Sequence, residues 1–185
     1  MNSIADVLER FNRKERNHLV RMALDQGDQP PKLGDHFRAD VAAALQFQGA
    51  IGADAWWATD YHLEWLAGAL VVYAKGEQEA KQARDKFSDQ LIKGNQEDVD
   101  LVIASGLDLI LIEAKGESHW NKKQLKSKLA RANLLVEYYS SIADAEVSNP
   151  IRFSFLLASP RTPSEEVKSL GPLGHTQAVN SHGSQ

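Results

Sequence analysis

The segment 96–116 (QEDVDLVIASGLDLILIEAKG) limits the fold of this chain more than any other stretch. It contains two short apolar runs, 101–104 and 109–112, with a Ser-Gly pair between them. Runs of this length that are rich in Val and Ile and end at a turn signal are typical of β-strands. The segment therefore predicts a β-hairpin whose turn is centred near Gly106-Leu107.

The register of this hairpin predicts which charged side chains face one another. With the turn at this place, Asp100 lies opposite Glu113. Further from the turn, Asp98 lies opposite Lys115. Side chains alternate between the two faces of a strand, so the two Asp residues share one face, and Glu113 and Lys115 do the same. Because directly opposite Cβ atoms lie about 5 Å apart, we expect two carboxylates in one small volume with Lys115 beside them.

Two carboxylates this close predict a cation between them. Like charges repel and raise a carboxyl pKa unless a cation compensates them. Mg²⁺ takes oxygen ligands and is commonly held by one or two carboxylates with waters and phosphates. We therefore expect Asp100 and Glu113 to bind Mg²⁺, for which Mn²⁺ can substitute. The alternative is that these charges are solvated caps at the ends of an antiparallel hairpin.

The motif formed by Asp100 and the Glu-Ala-Lys triplet 113–115 resembles the active-site motif of the PD-(D/E)XK nuclease superfamily. Val99 stands where that family frequently has Pro. The resemblance covers roughly residues 60–160 and implies the restriction-endonuclease-like α/β fold, a mixed sheet flanked by helices, in its RecB-like branch. It also implies a Mg²⁺-dependent nuclease that hydrolyses phosphodiester bonds, with DNA as the expected substrate and RNA left open.

The resemblance implies a role for each residue of the motif. Asp100 and Glu113 are expected to hold the metal together with the backbone carbonyl of Ala114. Lys115 is expected to position or activate the attacking water. The bound metal would stabilise charge on the phosphoryl oxygens and lower the pKa of its water.

A second acidic residue is expected on the helix that precedes the hairpin. The aromatic and apolar residues after Asp54 predict a buried helix from about Asp60 to Ala74. Glu64 on that helix looks like the acidic residue that completes the metal site in many nucleases of the superfamily. Asp60, one turn earlier on the same helix face, is the alternate, although a helix-cap role fits it better.

A helix predicted over 121–140 follows the hairpin and carries a basic side. In the RecB-like branch a Gln on this helix faces the active site, and Gln124 looks like that residue. Lys128 lies four residues on and shares its side, where it would bind phosphate. The other expected substrate-binding residues are Lys122, Lys123 and Arg131. The alternative is a solvated basic face, with an apolar stripe on the buried side formed by Leu125, Leu129, Ala132, Leu135, Val136 and Tyr139.

The N-terminal part of the chain predicts helices. Ser3 is a suitable N-cap, with Asp6 in the first turn, for a helix that begins at Ile4. Gly27 and the prolines after it end this element. A short second helix is predicted at about 35–46, and it offers packing residues but no chemistry.

The remaining strands and the domain organisation follow from the apolar runs. The segment 151–158 is a strong strand candidate, whereas 87–92 is a weak candidate for the first strand of the resembled fold. The order strand, helix, strand over 108–115, 121–140 and 151–158 predicts a right-handed crossover and a parallel pair. The chain is therefore divided into an N-terminal helical extension (1–52), a nuclease-like core (53–160) and a polar, flexible tail (161–185).

Composition narrows the function class further. The chain has 185 residues and a formal net charge of −4. It contains no Cys, and this absence excludes disulfides, Cys nucleophiles and thiolate metal sites. A net acidic protein is not a non-specific nucleic-acid coater, but it can be a nuclease with an acidic metal site. The N-terminus lacks a secretory signal, and the longest apolar stretch, 66–74, is too short to span a bilayer. We expect a cytoplasmic protein with no membrane partner.

A rival function is a catalytically idle module of the same fold that binds nucleic acid or a partner protein through its basic helices. The complete set of two acids and a lysine favours the enzyme, because a structural relative does not need it. A Ser-His-Asp hydrolase is disfavoured because the chain has no G-x-S-x-G pattern. A homodimer, which double-strand cleavage would suit, is left open.

Overall fold

The computed structural model describes residues 3–12, 15–23, 32–47, 49–77, 98–116, 122–143, 150–159 and 178–179. These residues form a mixed α/β structure in which helices flank one sheet. The helices are α1 (Ile4–Phe11), α2 (Glu15–Ala23), α3 (Asp35–Ala44), α4 (Leu63–Lys75) and α5 (Lys122–Ile142). The strands are β1 (Trp56–His62), β2 (Asp98–Ser105), β3 (Asp108–Ala114), β4 (Arg152–Ala158) and β5 (Ala178–Val179).

The sheet has the strand order β1-β2-β3-β4-β5. β1 pairs with β2 and β2 pairs with β3 in the antiparallel sense, whereas β4 runs parallel to β3 and β5 runs parallel to β4. The sequence-based prediction of a mixed sheet flanked by helices is therefore confirmed. The narrower prediction of a restriction-endonuclease-like fold stays a prediction.

The β2–β3 hairpin has the predicted register. Leu101 pairs with Ile112, and Ser105 pairs with Asp108, which leaves Gly106 and Leu107 as the turn. Gly106 has φ +59°, in the left-handed region that glycine occupies without a Cβ penalty. The turn chemistry thus fixes which residues oppose each other along the whole hairpin.

Two apolar cores lie on opposite faces of the sheet. The larger core holds α1, α4 and α5 against one face, with Val102, Leu111 and Phe155 among its buried strand residues. The smaller core holds α3 against the other face, with Ile103 and Ile110 buried there. Neighbouring strand residues enter different cores because side chains alternate, and both faces of β3 are consequently covered.

The prediction of a helix from Asp60 is wrong, because residues 56–62 form strand β1 and the helix begins at Leu63. The aromatic residues alternate as strand residues do: Trp56 belongs to the larger core, and Trp57 packs against the smaller one. Packing against β2 therefore outweighs the helical spacing that the aromatic cluster suggested. The weaker strand candidate, 87–92, lies outside the described residues.

The alternation of side chains between the two faces of the sheet breaks at Asp60 of β1, which has φ +50°. Beyond this point Tyr61 and its partner Val99 both enter the larger core, although strict alternation would send them to the opposite face. We call this switch of faces a change of phase. Together with the positive φ, it resembles the effect of a β-bulge, which commonly re-aims side chains next to functional sites. The change of phase lies opposite Asp100.

Helix α1 is joined closely to the sheet. Ser3 caps it with the predicted capping box: the Asp6 amide donates to Ser3 Oγ over 3.1 Å, and the Ser3 amide donates to Asp6 Oδ2 over 2.9 Å. The Tyr61 hydroxyl donates to the Leu8 carbonyl over 2.9 Å. A Cβ on Gly68 of α4 would lie 3.0 Å from the Phe11 ring, so glycine permits close approach of α1 and α4.

The predicted N-terminal element breaks after Phe11, because Asn12 is extended and α2 begins at Glu15. α1 contributes Ile4, Val7 and Leu8 to the larger core. The division into an extension and a core stays a prediction. The described part of the predicted tail is β5, and the rest of 161–185 lies outside the described residues. No helix in the described ranges has the length and apolar character to cross a membrane.

Candidate functional site

The carboxyl groups of Asp100 and Glu113 meet at the open end of the hairpin. One step beyond the Leu101–Ile112 pair, the register places these two acids opposite each other. The charge of Asp100 raises the pKa of Glu113, as expected for two neighbouring carboxyl groups. The Ala114 amide donates to Asp100 Oδ2 over 2.7 Å and fixes that carboxylate against β3. The hairpin register thus brings together the two acids that the sequence singles out.

Glu113 lies in an environment that disfavours its charge. The residue is only 5 % exposed. Burial and the charge of Asp100 raise the pKa of Glu113, the hydrogen bond from Lys128 lowers it, and the net result is a pKa of about 7. A buried carboxyl beside a second carboxyl is a place where an additional positive charge would be stabilised.

Lys128 is the cation that the structure places on Glu113. Its Nζ donates to Glu113 Oε2 and lies 3.4 Å from the backbone carbonyl oxygen of Asp98. Lys128 projects from α5 next to Leu125 and Leu129, which are buried in the larger core. Packing of α5 against the sheet therefore carries the ammonium to the end of the hairpin.

The expected role of Lys115 beside the acid pair stays a prediction. Lys115 follows β3 directly, its amide donates to the Ala158 carbonyl over 2.8 Å, and the residue is half-buried. The predicted partner across the hairpin, Asp98, instead meets His62, whose Nδ1 contacts Asp98 Oδ1. The change of phase opposite Asp100 explains this difference, because it turns Asp98 toward the end of β1.

His62 also packs against an aromatic side chain, with its ring centroid 4.3 Å from that of Trp65 and the two planes at 86°. Its contacts place it between Trp65 and Asp98, at the junction of β1 and α4. This arrangement holds the start of β2 against the helix that follows β1.

The other two acidic residues predicted for the site lie on α4 and β1. Glu64 is exposed in the first turn of α4, and Asp60 lies on β1 rather than on a helix. Across the described ranges, no three His, Cys, Asp or Glu side chains converge closely enough to hold a metal ion. The described structure therefore does not bring Glu64 or Asp60 to Asp100 and Glu113 as a third acidic ligand.

The predicted substrate-binding residues lie on α5. Gln124 and Lys123 are exposed near its start, and Arg131 is half-buried one turn after Lys128. Lys122 begins the helix, and its side chain lies outside the described residues. Ala114 contacts the acid pair through its backbone N–H rather than through the carbonyl that was expected to bind metal.

The donor set suits a hard divalent cation. An ammonium already lies between a carboxylate oxygen of Glu113 and the carbonyl oxygen of Asp98, with the Asp100 carboxyl adjacent. Mg²⁺ takes such oxygen ligands and commonly completes its shell with waters when a protein offers one or two carboxylates. Asp100 and Glu113 therefore fit Mg²⁺ with a largely aqueous coordination shell.

No family model, curated protein or solved structure matches this chain. The resemblance to the PD-(D/E)XK superfamily accordingly depends on the motif residues alone and stays a prediction.

Sequence reasoning missed the direct contact between Lys128 and Glu113. A signal for it exists, because Lys128 lies between Leu125 and Leu129 at the border of an apolar helical stripe. A lysine at such a border extends its alkyl stem along the core and delivers its charge to the nearest acid. The Asp98 carbonyl has no comparable signal, since backbone groups cannot be read from residue types.

Proposed function

We propose that this protein is a Mg²⁺-dependent nuclease that hydrolyses phosphodiester bonds in nucleic acid, with DNA as the expected substrate. The observation that supports the proposal is the contact of the Asp100 and Glu113 carboxyls beside the ammonium of Lys128. A buried carboxyl beside a second carboxyl and one cation is suited to a metal ion that stabilises the charge developing in phosphoryl transfer.

Each residue has a distinct part in this proposal. Asp100 and Glu113 hold the metal, and the Ala114 amide keeps the Asp100 carboxylate oriented. When bound, Mg²⁺ would neutralise charge developing on the phosphoryl oxygens and lower the pKa of a coordinated water. Lys115, at the end of β3, positions the attacking water. The polar side of α5 steadies the polyanion through Gln124, Lys128, Lys122, Lys123 and Arg131.

The proposal is tested by incubating linear and circular DNA with the protein, with and without Mg²⁺. Asp100→Asn and Glu113→Gln should each abolish cleavage while leaving the circular dichroism spectrum unchanged. Asp108→Asn is the matched control, because Asp108 lies on the same hairpin but pairs with Arg152 at the opposite end, with both N–O distances 2.7 Å. Full activity in both site variants would exclude this acid pair as the active site.

A second candidate is a catalytically idle module that binds nucleic acid or a partner protein. The observation that favours it is that Lys128 already neutralises Glu113 within the chain. In an idle module the ammonium would be a permanent structural counter-charge, and neither Mg²⁺ nor Mn²⁺ would bind. Calorimetric titration of Mn²⁺ into the native chain and into Glu113→Gln, each with a phosphorothioate oligodeoxynucleotide present, separates the two candidates.

A further inference from the structure

One ammonium occupies the place that a divalent cation would need. Lys128 Nζ contacts Glu113 Oε2 and lies 3.4 Å from the Asp98 carbonyl oxygen. Both are oxygens of the kind that Mg²⁺ coordinates. An ammonium and a divalent cation cannot share these oxygens, because the two positive charges would repel each other at contact distance.

The ammonium can leave without a change in the fold. The Lys128 side chain is 29 % exposed, whereas the Glu113 side chain is 6 % exposed. A lysine charge is carried on a flexible four-carbon stem, so a change of side-chain rotamer takes Nζ from the acid to solvent. Helix α5, which is anchored by Leu125 and Leu129, stays in place.

A phosphate is the chemical group that would draw the ammonium outward. Gln124 and Arg131 lie four residues before and three residues after Lys128, so all three border the same side of α5. That side adjoins Glu113 and combines an amide with two cations, which suits an anionic phosphate oxygen.

We propose that Lys128 closes the acid pair to divalent cations until a phosphodiester draws its ammonium away from Glu113, so that metal and nucleic acid bind cooperatively. This inference rests on the proposed metal site and adds its regulation. Without nucleic acid the site is held shut by its own helix, and a metal-loaded site with no substrate is disfavoured.

The first experiment measures Mn²⁺ affinity by titration calorimetry without nucleic acid. Lys128→Met and Lys128→Gln should each bind Mn²⁺ at least about tenfold more tightly than the native chain, in the usual range of coupling between sites. Lys126→Met, at an exposed lysine of the same helix that has no assigned role, is the matched control and should keep the native affinity. Circular dichroism verifies that each variant is folded.

The second experiment uses linkage, since coupled ligands must affect each other equally. The probe is a fluorescent phosphorothioate oligodeoxynucleotide, whose binding is followed by anisotropy. Mn²⁺ should tighten its binding to the native chain about tenfold, and the effect should be absent in Lys128→Met.

The possible outcomes separate this inference from the proposed function. If native protein and Lys128→Met bind Mn²⁺ equally well, and Glu113→Gln binds it more weakly, the metal site stands and the role of Lys128 is refuted. If neither native protein nor the Lys128 variants bind Mn²⁺, with or without the oligonucleotide, the metal site and this inference both fall.

Discussion

Asp100 and Glu113 lie opposite each other at the open end of the β2–β3 hairpin, and the Glu113 side chain is almost fully buried. Such an arrangement requires that one of the acids carries a proton or that a cation lies close by. Lys128 supplies part of the compensating charge. We therefore expect the charge state of these two acids to affect the stability of the hairpin end.

Stability should fall as the pH rises from about 4.5 to about 7, because the pKa of Glu113 is raised from 4.5 to about 7 in the folded protein. The folded state keeps its proton in this window and the unfolded state loses it, so the favourable contribution is complete at low pH and is lost above about 7. A shift of this size corresponds to about 3 kcal/mol.

Urea unfolding at pH 5 and pH 8 measures this dependence. Glu113→Gln removes the titrating group, so the difference in unfolding free energy between the two pH values should shrink by most of that amount. Asp108→Asn, on the same strand but at the far end of the hairpin, should leave the native dependence in place. An unchanged pH profile in Glu113→Gln would show that this carboxyl does not govern it.

Lys115→Ala should reduce Mg²⁺-dependent DNA cleavage by at least about a hundredfold, a typical effect of removing one group that acts on the transition state. The unfolding free energy should change little, because the backbone amide of Lys115, rather than its side chain, donates to the Ala158 carbonyl. Initial cleavage rates at saturating Mg²⁺ provide the measurement. Lys126→Ala on the exposed side of α5 serves as the control.

Tyr61→Phe should lower the unfolding free energy by about 1 kcal/mol, the usual net contribution of one hydrogen bond. The lost bond joins the buried Tyr61 hydroxyl to the Leu8 carbonyl of α1. Chemical denaturation compares this variant with Tyr138→Phe on α5, where the residue is only half-buried. A neutral effect at Tyr61 would mean that α1 is not held by this bond.

Gly106→Ala should destabilise the hairpin by about 1 kcal/mol, because a residue with Cβ is strained at positive φ. Among the described residues, no atom outside Gly106 and its two chain neighbours lies within 4 Å of the position that a Cβ would occupy, so the effect isolates backbone strain from steric clash. Gly34→Ala is the matched control, since Gly34 has equal space and an ordinary φ of −61°. Thermal unfolding of both variants gives the comparison.

The hairpin, α5 and β4 could be predicted from the sequence because each has a local signal. Val and Ile runs around Gly106 fix the register, and the apolar stripe that includes Leu125 and Leu129 fixes the buried face of α5. The position of Asp100 opposite Glu113 followed from that register alone. Local patterns of this kind need no knowledge of distant contacts.

The position of β1 could not be predicted in the same way. Trp57 and Tyr61 are four residues apart, which suits a helix, and only pairing with β2 selects the strand. The turn of Asp98 toward His62 depends on the positive φ of Asp60, which no residue pattern specifies. Tertiary pairing decided both cases, and local propensity was a weak guide.

Strand β3 has a hydrogen-bonded neighbour on each side, β2 and β4. Amide protons in such an interior strand exchange with solvent mainly through global unfolding, whereas frayed edges exchange through small local openings. We therefore expect the Glu113 amide to be among the slowest to exchange in the described structure. The Lys128 side chain that contacts the Glu113 carboxyl lies instead on the partly exposed side of α5. The Glu113 carboxyl is thus carried by the most persistent strand of the sheet, whereas the ammonium that contacts it can move without opening that sheet.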